Sequence, residues 1–295
     1  IAFFGGVEAI VRGLTDCEED ELVQAHGCNA LGSLACNDGP NQQKVAFEGG
    51  IKVVVRAMEE NPGSVDVQKY GCRALSNVAK GNAANTISVA NDNGVAAIAM
   101  AMRMHIDSDE VQINGIWALG TLSSHITTVR ASVAKVGGIG SILSGMRHHA
   151  GSEEVQASGC LSLQHLAVEK HLDSFLDAKG AEIILGAMNS FDSNSTIQMI
   201  GCVLVGKIAA SSVDAQEAAT FAGGIKTVLR VAQRTWTDLN VNNEARIALG
   251  RLAKNNNIAQ KRIAQTVVRA MRAALQDADI QANCCCTLET IAKQD

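Results

Sequence analysis

Three clusters of side chains carry groups able to bind cations, move protons or hold a basic partner. Asp16, Glu18, Glu19, Asp20 and Glu21 crowd one acidic turn. Such carboxylates could hold a cation, but acids also favour the start of a helix, and a solvated helix start is the simpler account. His148 and His149 are adjacent, and His105 occupies the slot of His149 one repeat earlier. Imidazoles bind metals, yet a metal site needs carboxylates or further histidines at matching spacing, whereas cationic residues suit a helix C-terminus without any ligand. Cys284, Cys285 and Cys286 are contiguous, which is not ligand spacing, and packing accounts for them better. The nine cysteines contain no CxxC pair, and no His-Glu dipeptide occurs to supply the paired ligands of a di-iron helical-repeat enzyme. No GxGxxG or P-loop element precedes a helix. The chain is expected to be no enzyme and to need no cofactor or metal.

The composition narrows what must position these residues. Apolar residues make up 47% of the 295, but aromatics only 3%, so the core is built from small and aliphatic side chains. Strand-rich domains draw more on aromatics, and the two prolines, Pro40 and Pro62, leave long stretches free to be helical. No apolar run approaches the ~20 residues of a membrane span, and no signal peptide is visible. With reduced cysteines implied, an intracellular, cytoplasmic location is expected. The net charge of −5 argues against nucleic-acid binding, and it is unevenly spread. Residues 225–295 hold 11 Lys/Arg against 6 Asp/Glu, a surplus of +5, and residues 1–224 hold 14 against 24, a deficit of −10.

A repeat organises the whole chain. Val/Ile-Gln followed by Gly-Cys occurs at Val23, Val67, Val155 and Ile197, with degenerate copies at Val111, Val241 and Ile280. The starts recur every forty-four positions, except for a step of forty-two into Ile197 and one of thirty-nine into Ile280. A second marker keeps step: Gly-Gly-aliphatic at Gly5, Gly49, Gly137 and Gly223, with weaker forms at Asn93 and Lys179 and only Val267 in the last copy. Its aliphatic residue precedes the next Val/Ile by the same sixteen positions six times, as Val7 precedes Val23 and Ile51 precedes Val67. In the last copy, from Val267 to Ile280, the interval shrinks to thirteen.

Each unit reads as three helices. A short first helix (Asn41 to Glu48) ends at the double glycine, which permits the left-handed geometry of a sharp turn. A second runs from Ile51 to Glu60 with Ile51, Val54, Val55 and Met58 on one face. A third begins after Ser64 or Asp66 and continues to Lys80, with equivalent caps at Ser108-Asp109, Ser152-Glu153 and Asp192-Ser193. The glycine inside the third helix costs roughly 1 kcal/mol relative to alanine, which a close helix–helix approach explains. The cysteine beside it is a small apolar filler, a slot held by Cys285 in the last copy. Stacked units share one continuous core.

The pattern in residues 67–79, Val-Gln-Lys-Tyr-Gly-Cys-Arg-Ala-Leu-Ser-Asn-Val-Ala, resembles the armadillo repeat, and the resemblance covers essentially the whole chain. It implies an all-α, right-handed superhelical solenoid of about seven three-helix repeats. The approximate units are 1–37 (partial), 38–81, 82–125, 126–169, 170–211, 212–255 and 256–295 (partial). Neither end carries an obvious polar cap, so a longer array or further domains are expected to flank the chain.

The same resemblance implies a concave groove of third helices that binds extended peptides. Nuclear-import adaptors place Trp directly after the Gly-Cys pair and Asn four residues later. The first position here holds Asn29, Arg73, Trp117, Leu161, Val203, Ile247 and Cys286; the second holds Ser33, Asn77, Thr121, His165, Lys207, Arg251 and Thr290. Only Trp117 and Asn77 match, in different repeats, which disfavours an import adaptor. His165, Lys207, Arg251 and Lys254 would make the C-terminal half of the groove basic and suited to acidic or phosphorylated segments, although surface charges alone are worth little. Trp117 falls on the groove side, which favours contact over packing. Trp236, at the slot of Pro62, is a rim contact or covers a helix end.

The expected function is a scaffold that holds partner proteins along this groove, with Asn29, Ser33, Arg73, Asn77, Trp117, Thr121, His165, Lys207, Arg251 and Lys254 as its binding residues. The alternative is a fixed architectural subunit of a large assembly, such as a cytoskeletal or ciliary scaffold.

Overall fold

The computed structural model describes residues 5–235 and 239–293, and every regular element among them is helical. The chain divides into two compact units, residues 1–166 and 167–295.

The first unit opens with α1 (Gly6–Asp16) and α2 (Glu21–Leu34). Three full triplets follow: α3 (Gly39–Phe47), α4 (Gly50–Glu60) and α5 (Val65–Ala79); α6 (Ala83–Asn91), α7 (Gly94–Met104) and α8 (Asp109–Ser123); α9 (Thr127–Lys135), α10 (Gly138–His148) and α11 (Glu153–Leu166). In the second unit a single 3-10 turn, Glu169–His171, leads into α12 (Leu172–Asp177), α13 (Gly180–Ser190) and α14 (Ser195–Ala209). Next come α15 (Val213–Phe221), α16 (Gly224–Arg234) and α17 (Leu239–Ala253), then α18 (Asn257–Ala273) and α19 (Ala278–Ala292).

The double-glycine marker does two separate jobs. Gly49 takes a left-handed φ of 80°, which ends α3 and reverses the chain. Gly50 lies so close to α3 that a Cβ there would sit 2.7 Å from the Val45 carbonyl oxygen. Asn93 and Lys179 adopt the same left-handed turn in the units that lack the first glycine, with φ of 63° and 55°. Between Asn257 and Ala273 no residue takes this conformation, and α18 runs unbroken through the place where the other units fold back. The step of thirty-nine into Ile280 reflects this fusion; Gln281 bonds Met271 and Ala274 at the separations Gln68 keeps from Met58 and Asn61, so the aliphatic slot of the last copy falls on Ala264 rather than Val267 and the interval of sixteen is kept.

Capping follows the sequence closely, with one shift. Ser64 caps α5 and Ser108 caps α8 through their hydroxyls. Ahead of α14 the cap is Asn194, whose side chain accepts from the Ile197 amide at 3.0 Å, and not Asp192-Ser193. Asp192 instead pairs with Arg234 at the end of α16.

Candidate partner-binding face

The third helices are held together by small residues. Within the first unit α2, α5, α8 and α11 pack side by side; within the second, α14 packs on α17 and α17 on α19. At these seams Gly32 lies against Ala74, Gly120 against Ser162 and Gly206 against Ala248. A Cβ added to the glycine would come within 3.0, 3.1 and 3.2 Å of the neighbour's Cα. A second row of glycines presses the third helix onto its own second helix. A Cβ at Gly71 would meet Met58 Cγ at 2.5 Å, one at Gly115 would meet Met102 Cγ at 2.4 Å, and one at Gly159 would meet Met146 Cγ at 2.6 Å. The expected close approach is therefore real, and it explains why glycine is tolerated in mid-helix.

The glutamine of each Val/Ile-Gln pair, readable in the sequence only as a marker, has a definite task. Gln68 Nε2 donates to the carbonyls of Met58 and Asn61, both at 2.8 Å. Gln24, Gln112, Gln156, Gln198 and Gln281 repeat the pair of bonds at the ends of their own second helices. The last carbonyls of a helix have no partner within it, and burial makes that deficit costly. Gln68, Gln112 and Gln156 are all buried. On α17, Asn242 stands in the same slot and donates to the Ala232 carbonyl.

The cysteines beside the glycines are core fillers. Cys28, Cys72, Cys160 and Cys202 are fully buried, and burial pushes the thiols of Cys28, Cys72 and Cys160 up to about 12. The last copy departs from the expectation. Cys285 is exposed and Cys284, in the glycine slot, is buried instead.

Within each unit the candidate binding residues lie on third helices, or in the case of Lys254 just past the end of α17. Trp117, on α8, keeps 44% of its surface exposed. Ser33, His165 and Lys254 are also exposed, and Asn29, Arg73, Asn77, Thr121, Lys207 and Arg251 are half-buried. Several are bonded across the seams. Arg73 Nη2 donates to Asn29 Oδ1 at 2.6 Å and to Ser33 Oγ at 2.8 Å. Asn77 Nδ2 donates to the Gly32 carbonyl at 2.9 Å, and Thr121 Oγ1 shares a bond with Ser76 Oγ at 3.2 Å. Lys69, one turn before Arg73 and absent from the sequence reading, bonds Asp66 at 2.9 Å and Glu110 at 3.1 Å. Asp66 first, then Glu110, hold its ammonium above the usual lysine range. His165, Lys207, Arg251 and Lys254 fall in different units, His165 in the first and the three others in the second. Trp236 lies outside the described residues.

The remaining clusters resolve into structural contacts. Asp20 caps α2, accepting from the Leu22 and Val23 amides; Glu21 accepts from Ser64 Oγ at 2.5 Å, and Glu18 faces Arg56 at 3.5 Å. His148 Nε2 lies 2.8 Å from Asp107 and His149 Nδ1 2.5 Å from Asp109. His149 Nε2 also meets the Ile106 carbonyl at 2.6 Å, as His105 Nε2 meets that of Pro62 at 2.7 Å. These rings tie the end of one second helix to the loop of the preceding repeat. Among the described residues no group of three or more His, Cys, Asp or Glu is placed to hold a metal, and no helix is long and apolar enough to cross a membrane.

Triplets of this geometry define an armadillo-type repeat protein. The family model described as LRRK2 ARM repeat matches residues 48–258, and the chain belongs to this armadillo-repeat family. No curated protein matches it in sequence. Among solved structures, an engineered protein aligns with a TM-score of 0.65 at 19% identity, covering 98% of this chain and 97% of that one. A designed armadillo repeat protein in complex with the peptide (KR)4 aligns with a TM-score of 0.68 at 16% identity, covering 84% of this chain and 99% of that one. A computationally designed armadillo repeat protein for modular peptide recognition gives a TM-score of 0.70 at 16% identity, over 83% of this chain and 99% of that one. At such identities the likeness is one of fold.

Proposed function

We propose that this chain is a non-enzymatic scaffold whose third-helix faces bind segments of partner proteins. The observation that carries the reading is Trp117, a large aromatic left 44% exposed in a row whose neighbouring positions Ile116 and Ala118 are fully buried. Exposed tryptophans in ordered surroundings are frequent interface anchors. The row on the second unit is cationic, with Lys207, Arg251 and Lys254, and favours acidic or phosphorylated segments. A designed relative in fold was solved with the basic peptide (KR)4; Lys207, Arg251 and Lys254 call for a ligand of opposite sign. The third helices of each unit serve this role.

The test is affinity capture and direct titration with two fluorescein-labelled probes, a hexaglutamate and (KR)4, using the wild-type chain and the Trp117→Ala, Lys207→Glu, Arg251→Glu variant. The reading expects hexaglutamate to bind the wild type more tightly than (KR)4, and the folded variant to lose partners that the wild type retains. Identical partner sets and equal titrations would remove the third-helix faces from the function and favour the fixed architectural role.

A further inference from the structure

Inside the second unit, between α12 and α15, lies an open pocket of about 770 Å³, within the range of sites that take a drug-sized group or a large side chain. One of the helices that border it is short, and the sequence carries the shortfall. The step from Val155 to Ile197 is two positions shorter than the step from Val111 to Val155. The shortfall falls on the first helix: α12 has 6 residues where α3, α6, α9 and α15 have 9, and a 3-10 turn replaces its opening.

The pocket is lined by Phe175, Leu176, Ile208, Ala218 and Phe221. Phe175 is fully buried beneath it, whereas Phe221 is 97% exposed, Leu176 36%, and Val213, at the start of α15, 68%. An aromatic ring this bare beside an apolar pocket leaves hydrophobic area in water that a bound group would cover. The rim is acidic: Glu182, Asp214 and Glu217 line it against one lining cation, Lys179. Carboxylates of that surplus repel phosphate-bearing lipids and nucleic acids and attract Lys or Arg.

We propose that this pocket is a second docking site, separate from the third-helix faces, which takes a large aliphatic or aromatic side chain of a partner polypeptide flanked by basic residues. The apolar side chain sits between α12 and α15 against Phe221, and the flanking cations lie along Glu182, Asp214 and Glu217. Selectivity comes from the rim and affinity from the covered rings.

The probe is a fluorescein-labelled peptide, Arg-Lys-Leu-Phe-Arg-Lys, titrated by anisotropy against the full chain in low salt. A Glu-Glu-Leu-Phe-Glu-Glu peptide and an Arg-Lys-Ala-Ala-Arg-Lys peptide serve as comparisons. The proposal expects saturable binding of the first peptide, with both comparisons at least about tenfold weaker, the loss typical of one removed anchor. Phe221→Ala and Glu217→Lys should each weaken it by a similar factor, and Ala218→Trp, at an exposed position, should block it by filling the pocket. Trp117→Ala should leave it unchanged, which separates this site from the third-helix face. Circular dichroism melts verify the fold of each variant, and Ala218→Trp carries the test alone if Phe221→Ala folds poorly. Equal binding of the acidic peptide, binding indifferent to all three pocket variants, or no saturation below ~1 mM would overturn the proposal.

Discussion

Gln68 Nε2 lies 2.8 Å from the carbonyl oxygen of Met58, and the Met58 side chain fills the space that a Cβ on Gly71 would occupy. One short stretch of α5 therefore both completes the hydrogen bonding of α4 and sets its distance. The two recurrent markers of the third helix, glutamine and glycine, act on the same helix end.

Replacing Gln68 with Leu should remove both bonds and leave the buried Met58 carbonyl without this donor, while the Asn61 carbonyl keeps the Ser64 amide at 3.1 Å. The expected loss is about 2 kcal/mol, read as a shift of the urea midpoint at unchanged slope. A change below ~0.5 kcal/mol, smaller than one ordinary net hydrogen bond, would mean that water or a neighbouring group satisfies the α4 end.

Gly71→Ala should destabilise despite alanine's better helix propensity. The new methyl meets Met58 Cγ at 2.5 Å, and overpacking of this kind costs about 1–3 kcal/mol. A double variant with Met58→Ala should recover part of that loss in the same denaturation experiment, since the clash is removed.

Thiol chemistry should divide the nine cysteines cleanly. Cys17, Cys36, Cys285 and Cys286 are exposed, and the other five are buried. Brief treatment of native protein with iodoacetamide, followed by peptide mass spectrometry, should label the first four and spare Cys28, Cys72, Cys160, Cys202 and Cys284. Labelling of Cys285 at a rate like that of Cys72 would contradict its placement.

The same burial gives a pH dependence. Cys28, Cys72 and Cys160 are pushed up to about 12, while an unfolded thiol titrates at ~8.5. Between these values the folded chain keeps protons that the unfolded chain releases. The stability they contribute is complete below roughly pH 8.5 and falls as pH rises toward 12. Urea midpoints measured from pH 8 to 10.5 should decline for the wild type and decline less steeply for the triple Cys→Ala variant.

Trp117→Ala should lower partner affinity while leaving the melting temperature within the scatter of surface substitutions, because the residue is 44% exposed. Equal losses of binding and of stability would make Trp117 a packing residue.

The fold was legible because its signals are periodic. Two markers held at one fixed interval named the second and third helices, and the buried faces of α4 at Ile51, Val54, Val55 and Met58 follow the apolar spacing directly. What escaped was set across space. The task of Gln68 depends on the carbonyl of Met58 in another helix, and Lys69 joins the row only because Glu110 of the next repeat reaches it. The cap at Asn194 was in fact readable, since it stands three residues before Ile197 as Ser64 stands before Val67 and Ser108 before Val111. The pocket beside Phe221 was hidden in one shortened repeat step, whose meaning needs the length of α12.

The unbroken course of α18 has a mechanical consequence. Among the described first and second helices of the other repeats a single left-handed residue, Gly49, Asn93, Gly137, Lys179 or Gly223, separates the two. Each such residue leaves the helical region of backbone space and sets the two segments it joins at an angle. Asn257–Ala273 has none, so its first- and second-helix segments share one axis and one ladder of backbone hydrogen bonds. A turn like that at Gly49 could form within it only by opening that ladder, which makes α18 one element where the other repeats have two.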